Sequence, residues 1–159
     1  MTDEEPHFLE LLIEHESVVG RLYEVFASLY PDRERFWRSL AAAEQMHAEQ
    51  LGELGSEPSI GRWLSHESGL RPQAVKSSIG YVESQIERAQ EGRLSSLQAL
   101  SIAKDLENAL IEEQFSRMSD SVHLKASPIL RQLAAETEAH RKTLADALEA
   151  EKRWRPLDA

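Results

Sequence analysis

Apolar residues recur at intervals of three and four along most of this chain, the spacing of one face of an α-helix. Leu9, Leu12, Val19, Tyr23 and Phe26 form the first such stripe, with Glu16 set inside it. The run Tyr30-Pro31-Asp32 predicts its end, since proline stops a helix and Asp32 can cap the next one. A second stripe of Phe36, Leu40, Leu51 and Leu54 holds Glu44 and His47 in phase and closes between Gly52 and Gly55. A connection this short predicts an antiparallel helix pair.

Residues 55–71 change texture, mixing Gly, Ser, Pro and His, with Trp63 and Leu64 as expected anchors. From Pro72 to about Gly92 helix spacing returns on Val75, Ile79, Val82, Ile86 and Ala89, weakened mildly at Gly80. This segment is read as a crossover, spanning about 55–94, that carries the chain back along the molecule. A third main helix is expected on Leu100, Ala103, Glu107, Leu110, Gln114 and Met118. After a loop at Ser119 to Ser127 comes a fourth, with Ser127 as cap and Pro128 at the first helical position. Its stripe is Leu130, Leu133, Thr137, His140, Leu144 and Ala147. The expected class is all-α: an antiparallel four-helix bundle of two hairpins with an additional crossover helix. Residues 1–159 read as one domain, with the bundle core at about 8–150 and a tail at 152–159.

Composition narrows the function classes. A chain of 159 residues can bury a full core, and 41% hydrophobic content with only 7 Gly and 6 Pro is that of a folded, helix-rich protein. The absence of cysteine excludes disulfides, zinc ribbons, a rubredoxin-type iron site and thiol catalysis. The net charge of −10 argues against nucleic acid, whose binding depends on neutralising phosphates. The basic tail Lys152-Arg153-Trp154-Arg155 is read as a solvated terminus. No basic-then-apolar N-terminal segment resembles a signal peptide, and no apolar run reaches the roughly 20 residues that cross a bilayer. A cytoplasmic protein without a membrane partner is expected. No glycine-rich phosphate loop or Gly-x-Ser-x-Gly elbow is present.

The polar residues inside the stripes carry the candidate chemistry. A carboxylate or imidazole on an apolar face costs stability unless something pairs with it. Glu44 and His47, at i and i+3 between Leu40 and Leu51, share one helix face and are close enough to bind one ion. Glu4 and His7 share the same spacing, but with Pro6 between them at the N-terminus they are read as incidental. In the second half His140 occupies the histidine position, while Thr137 stands where a glutamate would repeat the motif. Glu136, four residues before His140, also has same-face spacing and can bend in as the missing carboxylate; Glu138 points away. Tyr23 is read as core packing rather than a redox relay. His15, His66 and His123 have no partner at ligand spacing and are read as surface or loop residues.

The order Glu16, Glu44-x-x-His47, Glu107 and then a histidine helix resembles the rubrerythrin-like branch of the ferritin-like superfamily. The segments that carry the likeness are Glu16-Ser-Val-Val-Gly-Arg-Leu-Tyr23, Ala43-Glu-Gln-Met-His47 and Ile102-Ala-Lys-Asp-Leu-Glu107. It covers roughly residues 8–150. The resemblance implies a ferritin-like bundle around a non-haem di-iron centre that reacts with peroxide or dioxygen or oxidises ferrous iron. Glu16 and Glu107 are then terminal carboxylates, Glu44 a bridging one, and His47 and His140 one ligand for each metal. Thr137 departs from the pattern, as does Leu110, where some peroxide-reducing members carry a second carboxylate. The expectation is therefore two iron ions held unequally, with manganese or zinc as substitutes. An external electron donor and a homodimer are expected as partners. The competing reading is a degenerate bundle without a working metal centre, serving as a scaffold or interaction module.

Overall fold

The computed structural model describes residues 4–54, 69, 71–109 and 128–153. Within them the backbone is almost entirely α-helical and contains no strand, as the apolar spacing predicts. Helix α1 runs Glu4–Leu29, α2 Glu34–Leu54, α3 Pro72–Gln90, α4 Ser96–Asn108 and α5 Pro128–Arg153. Trp63, Leu64, His66, Leu110, Gln114, Met118, His123 and Ser127 lie outside the described residues, as does the tail beyond Arg153.

The helix ends follow local chemistry. A 3-10 turn, Pro31–Arg33, joins α1 to α2 and has Asp32 within it, so α2 opens at Glu34 and Asp32 does not cap it. Helix α3 stops at a glycine with positive φ: Gly92 N–H donates to Ala89 O and Arg93 N–H to Arg88 O, the paired bonds of a Schellman end. Helix α4 opens on a capping box, Ser95 Oγ accepting from Gln98 N–H and Gln98 Oε1 accepting from Ser95 N–H. It closes at Asn108 with Ala109 extended, and the rest of the expected stripe, Leu110 to Met118, lies outside the described residues. At that end Arg141 Nε donates to the Glu107 carbonyl, a bond across to α5 that satisfies a terminal acceptor.

Cross-helix contacts fix the directions. Glu24 meets Arg38, Tyr23 meets Trp37 and Glu16 meets His47, so α1 and α2 run antiparallel. His15 meets Ser78 and Tyr30 meets Leu94, stepping the same way, so α3 returns parallel to α1. Arg33–Glu151, Glu44–His140 and His47–Glu136 place α5 antiparallel to α2. Helix α3 therefore runs back along α1, as the crossover reading expected.

The core is continuous across these elements, with Leu12, Leu22, Tyr23, Phe26, Trp37, Leu51, Leu54 and Leu100 fully buried. Each such side chain contributes about 1.5–3 kcal/mol by leaving water. Two positions differ from the sequence reading. Trp37 is fully buried against Tyr23 and Phe26, whereas Phe36 is only partly covered. His15 is buried rather than on the surface: α1 packs against both α2 and α3, so its buried surface is wider than one stripe, and His15 reaches Ser78 Oγ at 2.8 Å. No helix among the described residues is long and apolar enough to cross a membrane.

Candidate metal centre

The antiparallel register of α1 and α2 brings Glu16 level with Glu44 and His47, all three fully buried. Across from them α5 presents Thr137, also buried, and His140, whose side chain is 13% exposed. The last turn of α4 supplies Glu107, likewise buried. The sequence thus sends three carboxylates and two imidazoles from four helices toward one another.

Glu44 is central. Its Oε2 lies 3.7 Å from His47 Nδ1, and its Oε1 lies 3.7 Å from His140 Nδ1. Glu16 Oε2 is 3.8 Å from the same His47 nitrogen. These separations are too long for hydrogen bonds. They are close to the spacing of two donors on one ion, about 3–4 Å for bonds near 2.1 Å. The two imidazole rings sit 5.4 Å apart, tilted by 32°. One donor atom from each of Glu44, His47 and His140 lies within 4.8 Å of the others.

Among the described residues several of these buried atoms have no hydrogen-bond partner: both oxygens of Glu44, Nδ1 of His47, Nδ1 of His140 and Oε2 of Glu107. Leaving one such group unsatisfied costs about 1–3 kcal/mol, more when it is charged. Convergence of this many on one point is costly without a cation to meet them, and the donor set suits a transition metal.

Electrostatics records the same strain. Burial, then the neighbouring Glu16 carboxylate, pushes the Glu44 carboxyl up to about 8. Burial and the Glu44 charge raise Glu107 well above the usual carboxylate range, against the pull of the Tyr23 hydroxyl. For His47 burial works downward, but Glu16 and Glu44 together outweigh it and hold the ring protonated up to about 12. His140 is pushed down to about 4, first by burial and then by the positive charge on His47.

The remaining polar groups divide into those that support the cluster and those that leave it. Tyr23 donates its hydroxyl to Glu107 Oε1 at 3.0 Å, so it is both packed in the core and bonded to a candidate ligand. Thr137 turns its hydroxyl back onto the Leu133 carbonyl at 2.8 Å and offers the cluster nothing. Glu136 does turn toward the centre, as far as His47 Nε2, which donates to its Oε2 at 2.8 Å. Glu138 is exposed and paired with Arg141, away from the cluster as expected. Neither Trp37 nor Arg141 was singled out from the sequence, although Trp37 stands one heptad before Glu44 on the same face. The chain matches no protein-family model, no curated protein and no solved structure.

Proposed function

We propose that this chain is a ferritin-like metal-carboxylate protein, related to rubrerythrins, that binds two metal ions, iron foremost, between its helices. The observation that carries this reading is the position of Glu44, one oxygen facing each imidazole at 3.7 Å and neither hydrogen-bonded among the described residues. Up–down α1 and α2, a returning α3, and α5 antiparallel to α2 agree with two hairpins joined by a crossover, the ferritin-like plan.

The assigned holders are Glu16, Glu44 and His47 for one ion, and Glu107 and His140 with the shared Glu44 for the other. Bound iron supplies redox chemistry toward peroxide or dioxygen, or the oxidation of ferrous iron. The protein's own part is electrostatic and steric. Glu44, Glu107 and His47 give up the protons they hold to an incoming cation, and burial strengthens each charge interaction that replaces them. Tyr23 holds the Glu107 carboxyl in place. Leu12, Leu40, Leu51 and Leu144, one turn above or below the donors on their own helices, are buried and keep bulk water out. With no cysteine in the chain, electrons for a reductive cycle come from a separate donor.

One feature favours the scaffold reading instead. A protonated His47 between Glu16 and Glu44 is a buried ion pair that can persist without metal. The two are separated by anaerobic titration of chelator-treated protein with ferrous iron or manganese, followed by metal analysis and melting. A ligand present at a hundred times its dissociation constant stabilises the folded state by about 2.7 kcal/mol. The metal reading expects such a rise in melting temperature; identical melting with metal and with chelator refutes it.

A further inference from the structure

We infer that Glu136 acts from outside the centre as the positioning residue of His47, holding its ring so that Nδ1 faces the ion. This rests on the metal-centre reading above and assigns one residue's part in it. The two nitrogens of His47 look in opposite directions: Nδ1 toward Glu16 and Glu44, Nε2 toward Glu136. A carboxylate on the outer nitrogen fixes which nitrogen keeps its proton, locks the ring orientation and makes the inner nitrogen a stronger donor.

The surroundings of Glu136 fit that part. Its side chain is 29% exposed, whereas Glu44 is fully buried, so it keeps solvent contact that the inner carboxylates lack. Its second oxygen accepts from Gln132 Nε2 at 3.0 Å, one turn back on α5, which fixes the carboxylate in turn. The register of α5 explains the placement. Thr137 takes the inward position, and its neighbour Glu136 falls on the flank that meets α2. His140 has no hydrogen bond of this kind among the described residues. The His47 position is therefore the pre-organised one, and the ion there is bound more tightly.

The test compares wild type, Glu136→Ala and Glu136→Gln by anaerobic calorimetric titration with manganese, with ring-nitrogen NMR of histidine-labelled protein. The glutamine oxygen can still accept from Nε2–H. Glu136→Ala is expected to keep the number of ions while weakening the tighter one by about 10–100-fold. Glu136→Gln should recover most of that loss in affinity and, because it keeps an acceptor on Nε2–H, should melt closer to wild type without metal than Glu136→Ala does. The alanine variant should also lose the shift of a hydrogen-bonded Nε2–H on His47. Loss of one ion outright would show Glu136 to be a ligand and overturn the inference. Unchanged affinity in Glu136→Ala, or a loss in Glu136→Gln as large as in Glu136→Ala, overturns it as well. Failure of the wild type to bind any ion is a different result: it defeats the metal centre itself.

Discussion

The two halves of the centre are built from the same helical pattern and are not equal. In the α1–α2 half, Glu16, Glu44 and His47 are all fully buried, and His47 is tethered through its outer nitrogen. In the α4–α5 half, Glu107 has one oxygen committed to Tyr23, His140 is partly open to solvent, and Thr137 spends its hydroxyl on its own helix. Hydrophobic phase repeats between the halves because packing demands it. Donor chemistry does not repeat, because packing is indifferent to whether position 137 carries a carboxylate.

The strongest way to break this comparison is at the residue both halves share. Glu44→Ala should abolish metal-induced stabilisation at both positions, read by melting with and without manganese. Glu16→Ala should remove the tighter ion and Glu107→Ala only the weaker one. In metal-free protein the sign reverses: Glu44→Met should raise the melting temperature at pH 8, since it removes the repulsion of Glu44 by Glu16 and Glu107 while Glu16 still faces the charge on His47. Equal losses from Glu16→Ala and Glu107→Ala would contradict the inequality of the halves.

Thr137→Glu sharpens it next. Adding the missing carboxylate should tighten the second ion and bring the two affinities together, measured as metal retained through gel filtration. It also removes the bond to Leu133 and buries a further carboxyl at a fully covered position, so metal-free stability should fall by about 1–3 kcal/mol or more. If the second ion is no better retained, the weakness of that half lies elsewhere than at 137.

A pH series reads the buried charges without any substitution. Glu44 and Glu107, raised, and His47, raised to about 12, hold protons in the folded chain at pH values where the unfolded chain has released them. The contributions of Glu44 and Glu107 to stability therefore decline from about pH 4.5 upward, and that of His47 from about 6.5. His15 and His140, both lowered to about 4, contribute stability that grows with pH up to roughly their unfolded value near 6.5 and is level above it. Metal-free protein should lose melting temperature between pH 6.5 and 8, at about 2–4 °C for each kcal/mol. Metal binding displaces those protons, so affinity should climb over the same interval. A flat or rising metal-free melting curve there would count against the buried cluster.

The smallest effect tests how closely the first half is packed. A methyl at Gly20 would meet Glu44 Cβ at 3.5 Å and the Ala41 carbonyl at 3.6 Å, ordinary contact distances. Gly20→Ala should therefore stabilise α1 by about 0.4–1 kcal/mol without loosening metal binding.

The helices and the inward set were legible because both follow from phase. Glu16, Glu44, His47, Glu107 and Thr137 each sit in an apolar stripe, and each is buried. What phase cannot supply is the choice between neighbours one residue apart and the number of faces a helix covers. Phe36 and Trp37 both stand at helix spacing from Leu40, and only the packing against Tyr23 and Phe26 selects Trp37. His15 is buried because α3 returns along α1, a tertiary fact that the stripe of α1 alone does not contain. Likewise the i−4 spacing of Glu136 and His140 revealed a shared flank, but not that the flank delivers Glu136 to the far nitrogen of a different histidine.

Trp37 gives the molecule an optical gauge of its own centre. Its indole is sealed from solvent, with no hydrogen bond to the ring N–H among the described residues, a setting that favours short-wavelength emission. It lies 5.6 Å from the ring of Tyr23, whose hydroxyl touches Glu107. Light absorbed at Tyr23 passes readily to an indole this near, and an open-shell ion at the carboxylates drains the excited state of both rings. With Trp63 and Trp154 changed to phenylalanine, the brightness of this one indole becomes a continuous readout of how full the centre is.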